Sequence, residues 1–156
     1  MQNRILFGIN SVREVIQNPS IVQKVLIQNK ISSPAATHLK EQIIRSGISY
    51  SFVPEQKLYK QTKENHQGFV ALIGQIQFTD LESIIDLEKQ QLFILLDGIT
   101  DVRNFGAIIR SAVGLGASGI IIGQTGNAPL NEVAIQASAG GAFHIPIVRV
   151  SHLKDA

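Results

Sequence analysis

The sequence predicts an α/β protein in two parts: a small three-layer α/β domain over residues 1–75, and residues 91–156 built on a parallel sheet, with a linker at 76–90. Three observations carry this. The stretch 92–123 reads as one strand–helix–strand unit, in which an apolar run at 92–96 ends at Asp97-Gly98 and a polar loop leads into Phe105, Ile108, Ile109, Ala112 and Val113 at helical spacing. Residues 119–123 form a second short apolar run, so the two strands run parallel through a right-handed crossover. The first 75 residues alternate helical and strand patterns in the order α-β-α-β-α-β. Charge is segregated: residues 1–75 hold nine Lys/Arg against four Asp/Glu, residues 76–90 one against four, and residues 91–156 four of each.

Taken in order, Ser11-Val-Arg-Glu14 has capping-box spacing, with Val12, Val15 and Ile16 on one helical face. Asn18-Pro19 stops that helix, and residues 24–27 read as a strand. Ser33 caps a second helix with Pro34 at its first position, Leu39, Ile43 and Ile44 as its buried face, and Gly47 closing it. Ile48, Tyr50 and Phe52 alternate as in a half-exposed strand. Pro54 opens a short helix carrying Leu58 and Tyr59, residues 60–68 are a polar basic loop, and 69–73 form a further buried strand. Within the acidic linker, Asp80 caps a short helix with Leu81, Ile84, Ile85 and Leu87. The run 92–96 reads as a strand buried on both faces. After 119–123, a loop at 124–129 precedes a helix capped by Asn131, a small glycine-rich segment at 138–142 where backbones or a ligand approach closely, and a strand at 145–150.

Composition sets limits. A chain of 156 residues, 44% hydrophobic and 17% charged, folds as one domain or two small ones. No run approaches the roughly 18 apolar residues of a membrane span. Met1 to Arg4 lacks the apolar core of a signal peptide, so a cytoplasmic protein is expected. There is no cysteine, and His38, His66, His144 and His152 lack metal-ligand spacing, so no metal is expected. The basic first part implies an anionic partner, although a lysine-rich surface alone would look the same.

Gly114, Gly116 and Gly119 spell G-x-G-x-x-G. That fingerprint binds a dinucleotide only after a strand and at the opening of a helix; here it follows a helix and precedes a strand, and reads as a helix stop and turn. Chemistry in such a unit sits beyond the carboxyl end of the strand, where Asp97, Thr100, Asp101, Arg103 and Asn104 fall. Arg110 lies roughly opposite the apolar stripe, where a lone arginine is ordinarily a solvated residue.

The order Asp97, loop, Asn104-Phe105-Gly106, Ile108-Ile109, Arg110, Ser111-Ala112 resembles the first signature motif of the SpoU-type RNA ribose 2′-O-methyltransferases of the SPOUT superfamily, with Val102 where many members have proline. His66-Gln67-Gly68-Phe69-Val70-Ala71 is similar to the segment that ends the family's substrate-binding domain, and Phe7-Gly8 with Val12 to its opening. Residues 137–146 and 151–153 are similar to a further family segment, with Gln136 where a basic residue is common. The resemblance implies a small ribosomal-protein-like α/β RNA-binding domain followed by the first half of an α/β-knot (SPOUT) methyltransferase domain. It implies S-adenosylmethionine as cofactor, RNA as partner and a homodimer. Family members continue through two more motifs that form the cofactor-binding knot, so the cofactor site is expected beyond Ala156 and the 156-residue chain is expected to be incomplete and inactive by itself.

On this reading Arg110 and Asn104 are the candidate catalytic residues. Arginine is effectively never deprotonated, so Arg110 would stabilise a developing alkoxide or hold a phosphate, with Asn104 orienting the loop or the ribose. Lys57, Lys60, Lys63 and His66 are the candidate RNA contacts. The expected substrate is ribosomal RNA, a 23S-type guanosine, over transfer RNA. Two alternatives stay open: an RNA-binding module without catalysis, and a nucleotide-cofactor-binding α/β protein.

Overall fold

The structure, a computed structural model, describes residues 4–156; residues 1–3, part of the signal-peptide reading, lie outside them. The chain divides into two compact units, residues 1–75 and 76–156.

The first unit is a four-stranded sheet in the order β1-β4-β2-β3, from β1 (Arg4–Phe7), β2 (Val22–Gln28), β3 (Tyr50–Val53) and β4 (Phe69–Ile73). β4 is antiparallel to both β1 and β2, while β2 and β3 are parallel and joined through helix α2 (Pro34–Arg45). One face buries Leu26, Val53, Leu58 and Val70, with Leu58 supplied by α3 (Glu55–Tyr59) and with Ile5 and Phe7 packed alongside. Strand alternation turns Val25 and Ile27 to the other face, where both are fully buried.

Several expectations change here. β1 adds a strand ahead of the first helix, four residues long and without a local pattern to mark it. β2 runs from 22 to 28, longer than the expected 24–27. Ser11 is no cap: α1 (Ile9–Val15) starts two residues earlier behind Gly8, at φ 84°, and Ser11 is buried inside it. Ser33 does cap α2, accepting from the Ala36 N–H at 3.2 Å. Leu39 and Ile43 are buried as expected, but Ile44 is 43% exposed. In β3 the buried side chain is Val53, and Tyr50 and Phe52 face outward because β3 is an edge strand.

The second unit is a parallel three-stranded sheet in the order β5-β6-β7, from β5 (Phe93–Leu96), β6 (Gly119–Gly123) and β7 (Ile147–Val150). Helix α4 (Val102–Gly114) connects β5 to β6, and α5 (Glu132–Ala137) precedes β7 and packs on α4. Only β6 is central. β5 is an edge, so the expectation of burial on both faces fails there: Leu95 is 53% exposed and Leu92 49%.

The acidic stretch 76–90 packs on this unit. Thr79 donates its N–H to the Ile147 carbonyl at 3.0 Å, and the Phe78 ring lies 4.3 Å from the Arg149 guanidinium. The expected helix after Asp80 shrinks to a single 3-10 turn, Leu81–Ser83, without a side-chain cap. Gln91 folds the following residues back, accepting from the Asp86 N–H and donating to the Ile84 carbonyl. No helix among the described residues is long and apolar enough to cross a membrane.

Candidate functional site

The loop after β5 and the first turn of α4 are built by short-range polar contacts. Asp101 is the N-cap of α4, and its carboxylate accepts from the Asn104 N–H at 2.7 Å. That bond satisfies one of the orphan amides of the first turn and places an anion at the positive end of the helix. The loop is tied to the one that follows β6 by Asn127. Its Oδ1 accepts from the Ile99 N–H at 3.0 Å, its Nδ2 donates to the Gly123 carbonyl at 3.3 Å, and the Ala128 N–H donates to the Ile99 carbonyl at 2.6 Å. Asn127 was not among the sequence candidates; Gly126-Asn127 marks a turn, but nothing local says that it clamps a loop 28 residues earlier.

Beside this loop is an open cleft of about 590 Å³, bounded by Ile94, Thr100, Asp101, Asn104, Ile108 and Leu115 among others. Asn104, Ile108, Ser111 and Leu115 repeat at three to four residues, so one stripe of α4 faces it. Arg110 is not on that stripe. Six residues from Asn104, at about 100° each, it lies on another flank of the helix, shared with Arg103 one heptad earlier. Both arginines and Asn104 are exposed. The structure thus does not bring Asn104 and Arg110 together on one face.

Arg110 instead borders the small-residue turn after α5. Asn131 caps α5 by accepting from the Val133 and Ala134 N–H groups, both at 3.1 Å. Ser138 is buried; its Oγ donates to the Ile135 carbonyl at 2.7 Å and accepts from the Ala142 N–H at 3.2 Å. These bonds pin a turn in which Ala139 and Gly140 have φ 50° and 85°. A side chain on Gly141 would lie 3.5 Å from the Arg110 Cα. One on Gly106 would collide with the Ala134 carbonyl and the Ala137 methyl group. The Asn-x-Gly and small-residue segments therefore meet as two closely packed backbones. The G-x-G-x-x-G glycines serve the turn and the sheet instead: Gly114 ends α4, Gly116 takes φ 72° in the turn after it, and Gly119 lies in β6, where a side chain would collide with Ile84 and crowd Phe93.

In the first unit Lys57, Lys60 and Lys63 are exposed along α3 and the loop after it. His66 is not, and this corrects its assignment as a surface contact. It is 3% exposed, its Nδ1 accepts from the Gly68 N–H at 3.1 Å, and its ring stands edge-on to Tyr59 at 4.6 Å. The neutral ring then carries its proton on Nε2, which has no hydrogen-bond partner among the described residues. Its neighbour Gln67, at φ 51°, places Oε1 2.9 Å from the Ile9 N–H and so caps α1. Gly8 donates its N–H to the Phe69 carbonyl at 3.1 Å. The two motif-like segments at 7–12 and 66–71 are thus one joint. Among the described residues no group of three His, Cys, Asp or Glu side chains could hold a metal.

Both units match families of known proteins. Residues 5–79 match the family model described as RNA 2'-O ribose methyltransferase substrate binding, and residues 91–156 match the SpoU rRNA Methylase family. A protein named as a TrmH family tRNA/rRNA methyltransferase of Staphylococcus aureus (strain COL) is 29% identical over 157 residues, covering 98% of this chain and 63% of the relative. The chain thus spans less than two thirds of that relative's length. A SpoU methyltransferase, AviRb from Streptomyces viridochromogenes, superposes with a TM-score of 0.74 at 22% identity, covering 98% of this chain and 55% of the other. An AdoMet-bound rRNA methyltransferase from Sinorhizobium meliloti gives 0.72 at 23% identity, covering 94% and 54%. At these identities the structural likeness establishes the shared fold.

Proposed function

This chain belongs to the SpoU family of RNA methyltransferases, and from that premise we propose that its reaction is methylation of a ribose 2′-hydroxyl, most specifically of a guanosine in large-subunit ribosomal RNA, in the cytoplasm and as a homodimer. The observation that carries the reading is the position of Arg110: an exposed guanidinium whose backbone is fixed beside the small-residue turn at 138–142, within the segment that matches the methylase model. A guanidinium stays charged at any working pH. It suits holding a phosphate through two parallel N–H donors, or stabilising negative charge on a ribose oxygen as its proton leaves. Asn104 takes a different role from Arg110, shaping the loop edge of the cleft from the first turn of α4.

S-adenosylmethionine is the methyl source that this reading implies. The cleft at β5 does not fit it. It is open and largely apolar, and the one carboxylate on its rim is engaged in capping α4. No cofactor contact is therefore assigned to the residues that line this cleft.

RNA would be held by the basic first unit, with Lys57, Lys60 and Lys63 on phosphates; the excess of nine cationic over four anionic side chains in residues 1–75 supports this. In the full-length protein, Arg110→Lys keeps the charge but loses the planar fork, and methyl transfer to ribosomal RNA falls at least tenfold, about 1.4 kcal/mol. Transfer at the wild-type rate would remove Arg110 from the chemistry. The second reading, an RNA-binding module without catalysis, is favoured by the poor fit of the cleft to the cofactor. Binding of RNA by the full-length protein without any methyl transfer would establish it.

A further inference from the structure

We propose that the outer edge of β3 is a stacking platform for unpaired RNA bases, formed by Tyr50 and Phe52 with Lys40. This rests on the reading of RNA as the substrate and specifies how one surface would take it. Tyr50 and Phe52 are 37% and 46% exposed, although both rings sit in a strand and both register with fully buried partners, Val25 and Ile27. The two rings meet edge to face with centroids 5.7 Å apart. Lys40, from α2, holds its ammonium 5.4 Å above the Phe52 ring.

Exposed aromatics two residues apart on a strand, beside a cation, give what single-stranded nucleic acid binds: flat π-faces for bases and a positive charge for the backbone. The residues 1–75 carry the chain's cationic excess, which complements RNA. A protein strand fits this edge poorly. β3 has four residues and ends against Pro54, which leaves little ladder to extend.

The test uses the 156-residue chain, a fluorescently labelled single-stranded 12-mer RNA and a perfectly paired duplex of equal length, with binding read by fluorescence anisotropy. Tyr50→Ala and Phe52→Ala should each weaken single-strand binding about tenfold while duplex binding changes little. Phe52→Leu keeps apolar bulk and removes the ring, so it should lose as much as Phe52→Ala; Phe52→Trp should retain binding. Melting curves of these surface variants should match the wild type. Single-strand binding unchanged in the Tyr50→Ala/Phe52→Ala double variant would overturn the platform while leaving RNA as the partner. Full binding by Phe52→Leu, or equal loss of single-strand and duplex binding, would also overturn it. Failure of the wild-type chain to bind either RNA would overturn the platform together with the assignment of RNA binding to this unit. A loss of self-association in the double variant, with RNA binding intact, would reassign the patch to contacts between copies.

Discussion

Gln67 holds a backbone conformation that few non-glycine residues adopt, and its side chain explains why it is there. At φ 51° it turns the chain so that Oε1 reaches the first amide of α1. Gln67→Ala should remove that cap and cost about 1 kcal/mol, within the range of helix caps; a urea midpoint equal to wild type would show that the contact contributes nothing. Gly106 is the sharper case. A methyl group there has no space, since the α5 backbone occupies it. Gly106→Ala should cost about 2 kcal/mol or more, by prising α4 from α5. Calorimetry of the variant tests this, and an unchanged melting temperature would mean that the two helices do not pack this closely.

At the scale of elements, α3 and its loop carry the cationic stripe Lys57, Lys60 and Lys63, all exposed and none in an ion pair among the described residues. If all three meet phosphates, replacing them with Gln should lower the slope of log affinity against log salt by about 2, since each neutralised phosphate of a single strand contributes roughly 0.7. The same slope in the variant would take the stripe out of the interface. α4 shows how one helix divides its work: one stripe is core, one faces the cleft, and a third flank carries Arg103 and Arg110.

At the scale of the whole molecule, the second unit leaves an apolar edge. Leu95 on β5 and Leu92 just before it are about half exposed, and Leu115, past the end of α4, is 74% exposed. An uncovered strand edge with apolar neighbours favours association. Sedimentation of the 156-residue chain should therefore show concentration-dependent self-association, and Leu95→Lys together with Leu115→Lys should suppress it. A monomer at all concentrations would mean that the exposed edge is tolerated.

The sequence by itself determined what is local. Helical spacing placed α2 and α4, continuous apolar runs placed β4 and β6, and the Asn131 cap placed α5. Ser33 and Asn131 could be recognised as caps because a cap acts within about three residues. The misplaced G-x-G-x-x-G could be set aside because its context lies next to it, and Asn104-Phe105-Gly106 with Arg110 could be recognised because spacing within one helix is written in the chain. Tertiary structure decided what depends on a distant neighbour. A period shows which side of an element is apolar but not whether anything covers it, so Ile44, Tyr50, Phe52 and Leu95 turned outward and His66 went in. Edge or centre is set by strand pairing, which is why β5 could not be told from β6. The cap of α1 comes from 58 residues away and displaces the nearer Ser11, because the pairing of β1 with β4 brings Gln67 to the start of that helix.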